Sequence, residues 1–469
     1  INTVYASDGD VVLDLKGHSL LAEDGHDADK EMGTTYTNVE GENISINNVA
    51  NVKGKGEGQS LGMKVTGKKA EDGSTAPGSI RFQAVGDADI TLFGEAASGA
   101  TSIKAENTVI TNRGKISKGS YKARKALHVY NANDSTITGG TFTGAETTLT
   151  NEGTVENGTY TAETGAMTVK NSGKLSSGTY TAKAGKMGIT NEGTIENGTY
   201  TAETDAMTIT NSGKLSSGTY TAKAGKMGIT NEGTIENGSH TAETGAMTIT
   251  NRGKLSAGTY TAKAGTMDIT NEGTIENGTY TARGDLTYTD IAKSSLTDGT
   301  LISEEGKAKI TAHGVLQIKK LSAKNSATVE VDQDVTLTEA EAGTLAISSG
   351  GSVKADTLTP TAGDASVTAK TDATIGTLTA EAGSATIEAT EGKLDVTTLN
   401  AKKHAELTSG SDMVLHAAEA GGKLTADAGG SISVKGTDAK IAAADITMRA
   451  GEDIRITDRS PVGKLDGVD

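Results

Sequence analysis

Several groups of residues have the types and spacing for chemistry. Glutamates recur in pairs: Glu152 with Glu156, Glu192 with Glu196, and Glu232 with Glu236. Two close carboxylates are what acid–base cleavage of a glycoside requires. A catalytic site is one special arrangement, however, and carboxylates duplicated along the chain point to a solvated face. An acidic stretch from Ala22 to Glu31 offers Asp24, His26, Asp27 and Asp29 as donors for a cation. It matches neither the DxDxDG calcium loop nor the glycine-rich nonapeptide, so a solvated loop is expected and no metal is assigned. Arg283, Gly284 and Asp285 spell the integrin-binding tripeptide and are retained as a candidate receptor contact. Asn157, Asn197, Asn237 and Asn277 each open Asn-Gly-Thr or Asn-Gly-Ser. That is a glycosylation sequon, but Asn-Gly is also the pair a turn needs, and the turn is the reading taken. The seven histidines are scattered. No phosphate loop, HExxH or GxSxG is present. No catalytic residue and no cofactor is assigned, and a non-enzyme is expected.

Most of these residues lie in one tandem repeat of twenty, running from Asn151 to Tyr280; one copy reads NEGTIENGTYTAETDAMTIT. Counted from its Asn, position 1 holds Asn151, Asn171, Asn191 and Asn211, and continues to Asn271. Position 5 is always aliphatic, and positions 3 and 8 are always Gly. Position 10 holds Tyr160, Tyr180, Tyr200 and Tyr220, then His240, Tyr260 and Tyr280. Position 17 holds Met167, Met187 and Met207, and continues to Met267. A fixed period this short means a solenoid, a propeller or an array. Thr and Gly fill the repeat and are poor interior helix residues, while apolar residues at 10 and 12 and at 17 and 19 have strand spacing. Each repeat therefore reads as two or three short strands joined at corners.

One such coil cannot bury its apolar side chains alone, but a stack of coils can. Identical positions then lie roughly 4.8 Å apart, Tyr on Tyr and Met on Met. Stacked Asn side chains can pass hydrogen bonds up a ladder. The Asn column is open to two readings, an internal ladder or an exposed turn. Position 13 alternates Glu163, Lys183, Glu203, Lys223, Glu243 and Lys263, which would set opposite charges on adjacent coils. Either this controls register or it is a relic of a forty-residue duplication; register control is the expectation.

Composition alone points elsewhere. Leu, Ile, Val and Phe make up less than a fifth of the 469 residues, which without periodicity would suggest disorder. A thin coil needs few apolar residues per turn, so the period overrides that prior. The formal charge of −16 and pI near 5.0 argue against nucleic acid and against an anionic membrane surface. Cysteine is absent, so there is no disulfide framework. No apolar run is long enough to span a bilayer as a helix. The chain opens on Ile1 without a signal peptide, and a processed product or a fragment is expected.

Along the chain, residues 1–110 alternate like strands without a strict period, as in VVLDL and SIRFQAV. Residues 111–290 carry the regular repeat, including its uneven entry at Asn112 and Asn133. Residues 291–469 keep the style in a degenerate form, as in TLTPTAGDASVTAKTDATIG. The fold expected is all-β, a right-handed parallel β-helix (β-solenoid) of about twenty residues per coil, with about 23 coils over about 110 Å.

AAADITMRAGEDIRITD and GGKLTADAGGSISVKG resemble the degenerate repeats of filamentous-haemagglutinin-type exoproteins and related autotransporter passengers. The resemblance is best over 281–469 and looser over the Asn-Gly-Thr-Tyr repeat. It implies a parallel β-helix on a Gram-negative cell surface, exported by two-partner secretion or as an autotransporter and active in adhesion or aggregation. The secretion module with its Asn-Pro motifs is not visible, nor is an outer-membrane barrel. The function expected is a secreted or surface-displayed adhesin or filament segment, an extended stalk with a multivalent contact surface. Its partners would be a host or neighbouring cell surface (glycan or protein) or identical chains end to end. The alternatives are a structural surface-layer or fibre-forming protein without a receptor, and a polysaccharide-cleaving β-helix enzyme.

Overall fold

The structure, a computed structural model, describes residues 4–7, 9–22, 37–54, 60–76, 78–96, 101–291, 294–436 and 439–457. The acidic stretch with Asp24, His26, Asp27 and Asp29 lies outside these residues. The described chain is all-β, with parallel strands stacked about 20 residues apart in a β-solenoid of about 20 turns. No helix occurs among the described residues. One antiparallel hairpin departs from the pattern, Lys68–Lys69 against Thr75–Ala76.

A single coil shows why the sequence bends this way. Met207–Asn211, Lys214–Ser216 and Thr219–Ala222 are its three strands. Met207, Ile209 and Asn211 point inward while Thr208 and Thr210 face out. The second and third strands keep Leu215, Tyr220 and Ala222 inside. Thr and Ile are β-branched and suit the pleated surface. At the first corner the backbones of neighbouring coils touch. A Cβ on Gly213 would lie 2.1 Å from the carbonyl oxygen of Gly193, so only glycine lets the corners stack.

The second corner works differently from the Asn-Gly turn expected. From Ser177 onward the left-handed residue is position 7 and not the glycine after it, whereas in the first copy the positive φ, 140°, is on Gly158. Ser177, Asn197 and Ser217 have φ of 55°, 50° and 52°. Ala257 and Asn277 hold the same conformation at 50° and 51°. This corner therefore accepts Ser and Ala and does not require Asn. Left-handed backbone costs an ordinary L-residue about 1–2 kcal/mol and Asn less. Ala257→Asn is expected to stabilise by about 0.5–1 kcal/mol, read as a higher thermal midpoint. An unchanged or lower midpoint would contradict the conformation assigned here.

The chain divides into two compact units, residues 1–244 and 245–469. The first opens with less regular coils. Val4–Tyr5 pairs with Thr37–Gly41, and Val11–Asp14 with Ile44–Val49. Ile44, Ile46, Phe82 and Ile90 fill this part of the core. Strict periodicity begins at Asn112, which pairs with Leu92 on one side and Asn131 on the other. The second unit continues the regular repeat to Tyr280 and then changes its core. The Tyr column becomes Leu301, Leu321, Ala340 and Leu358. A parallel column runs Leu337, Ala355, Ile375, Val396 and Leu415. The divisions expected at 110/111 and 290/291 are thus changes of repeat style, whereas compactness divides the chain at 244/245.

Candidate functional site

The Asn column is internal. Asn151, Asn171, Asn191 and Asn211 are 0–3% exposed. Each Nδ2 donates to the Oδ1 of the next coil: Asn151 to Asn171 at 2.7 Å, Asn171 to Asn191 at 2.8 Å, and Asn191 to Asn211 at 2.7 Å. The ladder already runs through Asn112 and Asn131 at 2.7 Å per step. In the second unit Asn251 donates to Asn271 at 2.8 Å. Each amide also reaches two carbonyls, as Asn191 does with Gly193 at 3.1 Å and Lys214 at 2.9 Å. A buried amide is tolerated because it is satisfied on every side.

At Asp290 the ladder stops. Asp290 pairs with Asn271 in the sheet, but the Asn271 amide turns to the Tyr288 hydroxyl at 3.1 Å. Asp290 Oδ1 is buried with no hydrogen-bond partner, and burial raises the pKa of this carboxyl. Beyond it the equivalent column is Ala312, Val331, Ser349 and Ala369.

The aromatic column is a continuous stack. Tyr160, Tyr180, Tyr200 and Tyr220 lie with ring centroids 4.9, 4.6 and 4.8 Å apart and planes within 6°. Tyr121 and Phe142 lead into it at 4.7 and 4.6 Å, and His240 stacks on Tyr220 at 4.8 Å. The rung spacing of the sheet imposes this near-parallel geometry. The glycine at position 8 makes room for it: a Cβ on Gly198 would lie 2.4 Å from the Tyr200 ring. Met167, Met187 and Met207 form a third internal column, each at most 1% exposed.

Two features of the stack are energetically exposed to change. The hydroxyls of Tyr160, Tyr180 and Tyr280 are buried without a hydrogen-bond partner, and burial drives their pKa upward. An unpartnered buried hydroxyl costs about 1–3 kcal/mol, and Phe142 shows that the column accepts a bare ring. Tyr180→Phe is therefore expected to stabilise by about 1 kcal/mol, and a lower melting temperature would contradict this. His240 is the second feature. It is fully buried, and burial pushes its pKa down to about 3, so it is neutral at physiological pH.

Charged side chains lie outside and bridge successive coils. Lys183 meets Glu163 at 2.8 Å, and Lys223 meets Glu203 at 3.4 Å, as the alternation at position 13 predicts. A second set was not read from the sequence. Lys174, Lys214 and Lys254 reach Glu196, Glu236 and Glu276 of the following coil at 3.4, 3.1 and 2.8 Å. Arg252 also meets Glu272 at 3.2 Å. The forty-residue period was the available signal, since position 4 carries Lys only in the copies whose neighbours carry Glu at position 6. All these groups are roughly half exposed, so each pair contributes about 0.2–1 kcal/mol. Their larger effect is on register, because a slip of one coil would set like charge on like.

The paired glutamates, weighed for hydrolysis and expected on a solvated face, fall on this outer face. Glu196 and Glu236 are held by lysines, Glu156 is exposed, and Glu152 accepts a hydrogen bond from the Tyr130 hydroxyl. The candidate receptor tripeptide sits at a corner with Arg283 and Asp285 exposed. Both are engaged by the next coil: Arg283 meets Glu305 at 3.0 Å, and Asp285 accepts from the Lys307 backbone N–H at 2.8 Å. Gly284 donates to the Gly265 carbonyl at 3.0 Å. The tripeptide is therefore accessible but tied to its neighbours. Among the described residues no group of three His, Asp or Glu side chains is placed to hold a metal ion, and no helix is long and apolar enough to cross a membrane. Compared with protein-family models, with curated proteins and with solved structures, the chain matches none.

Proposed function

We propose that this chain is a segment of an extracellular, cell-surface β-solenoid of the adhesin or filament type. It acts as an extended stalk and as a multivalent contact surface. One observation carries the reading: the in-register stacking of near-identical coils repeats the same outward side chains rung after rung. Thr159, Thr179, Thr199 and Thr219 are exposed at one position of four successive coils. Such a surface offers one weak contact many times, and linked weak contacts raise avidity by orders of magnitude without new chemistry. The uncharged hydroxyl character of this column suits a glycan or protein surface. Two of the glutamates considered for hydrolysis, Glu196 and Glu236, are held by cross-coil lysines, which gives them a role in stacking. The resemblance to filamentous-haemagglutinin-type repeats points the same way.

Labelled electron microscopy on intact cells tests the location, and attachment of protein-coated beads to cells tests the contact. The reading expects surface label and attachment that grows steeply with coating density. Label confined to the cell interior, or attachment proportional to density, would contradict it. Arg283→Ala is included as a control, with attachment expected to stay unchanged because Arg283 is engaged by Glu305.

A further inference from the structure

One stretch of the outer surface differs from the charged faces. A groove of about 490 Å³ crosses successive coils of the first unit at the left-handed corner. It is lined by Asn157, Ser177 and Asn197 of position 7 and by Thr159, Thr179 and Thr199 of position 9, all exposed. The other lining residues are glycines, among them Gly158 and Gly178 between these two columns. No lining residue is charged, in a chain where 22% of residues are. The ligand chemistry selected is therefore hydrogen bonding to uncharged groups and not ion pairing.

The donors and acceptors are ordered. Ser177 and Asn197 are held in the left-handed conformation at 55° and 50°, which fixes where their side chains leave the backbone. Thr159, Thr179 and Thr199 stand in sheet register. The groups thus recur at the rung spacing, roughly 4.8 Å, which is close to the length of one sugar unit in an extended chain. A second observation concerns the floor. The hydroxyls of Tyr160 and Tyr180 are fully buried, lack a partner, and end against the groove glycines. A Cβ on Gly178 would lie 2.8 Å from the Tyr180 hydroxyl and one on Gly158 3.3 Å from that of Tyr160. One coil before the groove the same hydroxyl is satisfied, since Tyr121 donates to the Lys118 carbonyl at 3.1 Å. The groove floor over these rings is therefore bare glycine backbone, which no side chain obstructs.

We propose that this groove binds a neutral polysaccharide, an extended chain of uncharged sugars lying along the coil axis with its hydroxyls on the Asn, Ser and Thr columns. The proposal rests on the contact-surface reading above and names the ligand class for one face of it. Electrophoresis of the full chain through native gels containing dextran, galactomannan or a β-1,3-glucan tests it, with alginate gels as the anionic comparison. The expected result is retardation by at least one neutral polysaccharide and none by alginate. Thr179→Val with Thr199→Val removes two hydroxyls and keeps the side-chain shape, and should weaken retardation about tenfold. Asn197→Asp places a charge in the groove and should do the same. Both sites are exposed, and melting curves matching the parent confirm that the variants fold. Retardation only by alginate, no retardation by any neutral gel, or equal retardation of parent and variants would each overturn the groove. Bead attachment of the parent is measured alongside: attachment without neutral-glycan binding sinks the groove and leaves the contact-surface reading standing, and loss of both sinks both.

Discussion

Asn191→Asp is expected to be the most damaging single change in the regular repeat, costing about 5 kcal/mol at neutral pH. The substitution alters almost no volume, so the effect is one of hydrogen-bond polarity. The native amide gives its protons to Asn211 Oδ1, Gly193 O and Lys214 O, at 2.7, 3.1 and 2.9 Å. A carboxylate has nothing to donate, so three acceptors would face a fourth across the same distances. Leaving buried acceptors unmatched costs about 1–3 kcal/mol each, and burying the charge adds several more. Asn191→Leu should cost less, about 2–4 kcal/mol, because it strips partners without introducing charge. The two variants also differ in their response to pH. Burial would raise the folded-state pKa of an aspartate at 191 above its unfolded value. The destabilisation is then smallest in acid and grows as pH rises through the carboxyl range. Thermal midpoints of parent and both variants, taken across pH, read this directly. Equal melting of parent and Asn191→Asp would mean the column is solvated.

The second large effect comes from His240. Its pKa is about 3 in the fold, against about 6.5 when exposed. A depressed folded pKa means that the unfolded coil takes up the proton first. The stabilisation is complete above about pH 6.5, shrinks as pH falls, and is exhausted near pH 3, a span of about 4–5 kcal/mol. The loss should be local, because each coil of a solenoid depends mainly on its neighbours. The amide-exchange protection of Ser239–Ala242, corrected for the slower intrinsic exchange in acid, should therefore fall between pH 6 and pH 4, more than that of Thr219–Ala222 does. His240→Tyr restores the ring type of the preceding coil and should remove that difference. Parallel pH profiles for the two strands in the parent would show that the imidazole is not desolvated.

Much of this architecture is legible in the residues. Period-two spacing at Tyr200 and Ala202 and at Met207 and Ile209 marks strands, and the repeat length marks the coil. What stayed open was the side on which polar residues fall. Asn suits a turn and a ladder equally, and only the burial of Asn171 and Asn191 separates the two. The position-8 glycine reads as half of an Asn-Gly turn, whereas its main work is to leave space for the Tyr200 ring. The diagonal pairs such as Lys214 with Glu236 appear only when coils are overlaid, because the partners occupy different positions of the repeat. The groove was not legible either. It depends on the left-handed corner turning Ser177 and Asn197 outward beside bare glycine backbone, which composition does not reveal.

Every column described here depends on residues twenty apart standing directly beside one another. The chain has no cysteine, so labels can be placed at will. Thr199→Cys with Thr219→Cys puts pyrene on exposed, sheet-paired positions of adjacent coils. The stacked coil predicts strong excimer emission from that pair. It predicts none from Thr199→Cys with Thr208→Cys, which lie on different strands of the turn. Monomer emission alone from the twenty-apart pair, in protein that is folded by circular dichroism, would contradict it.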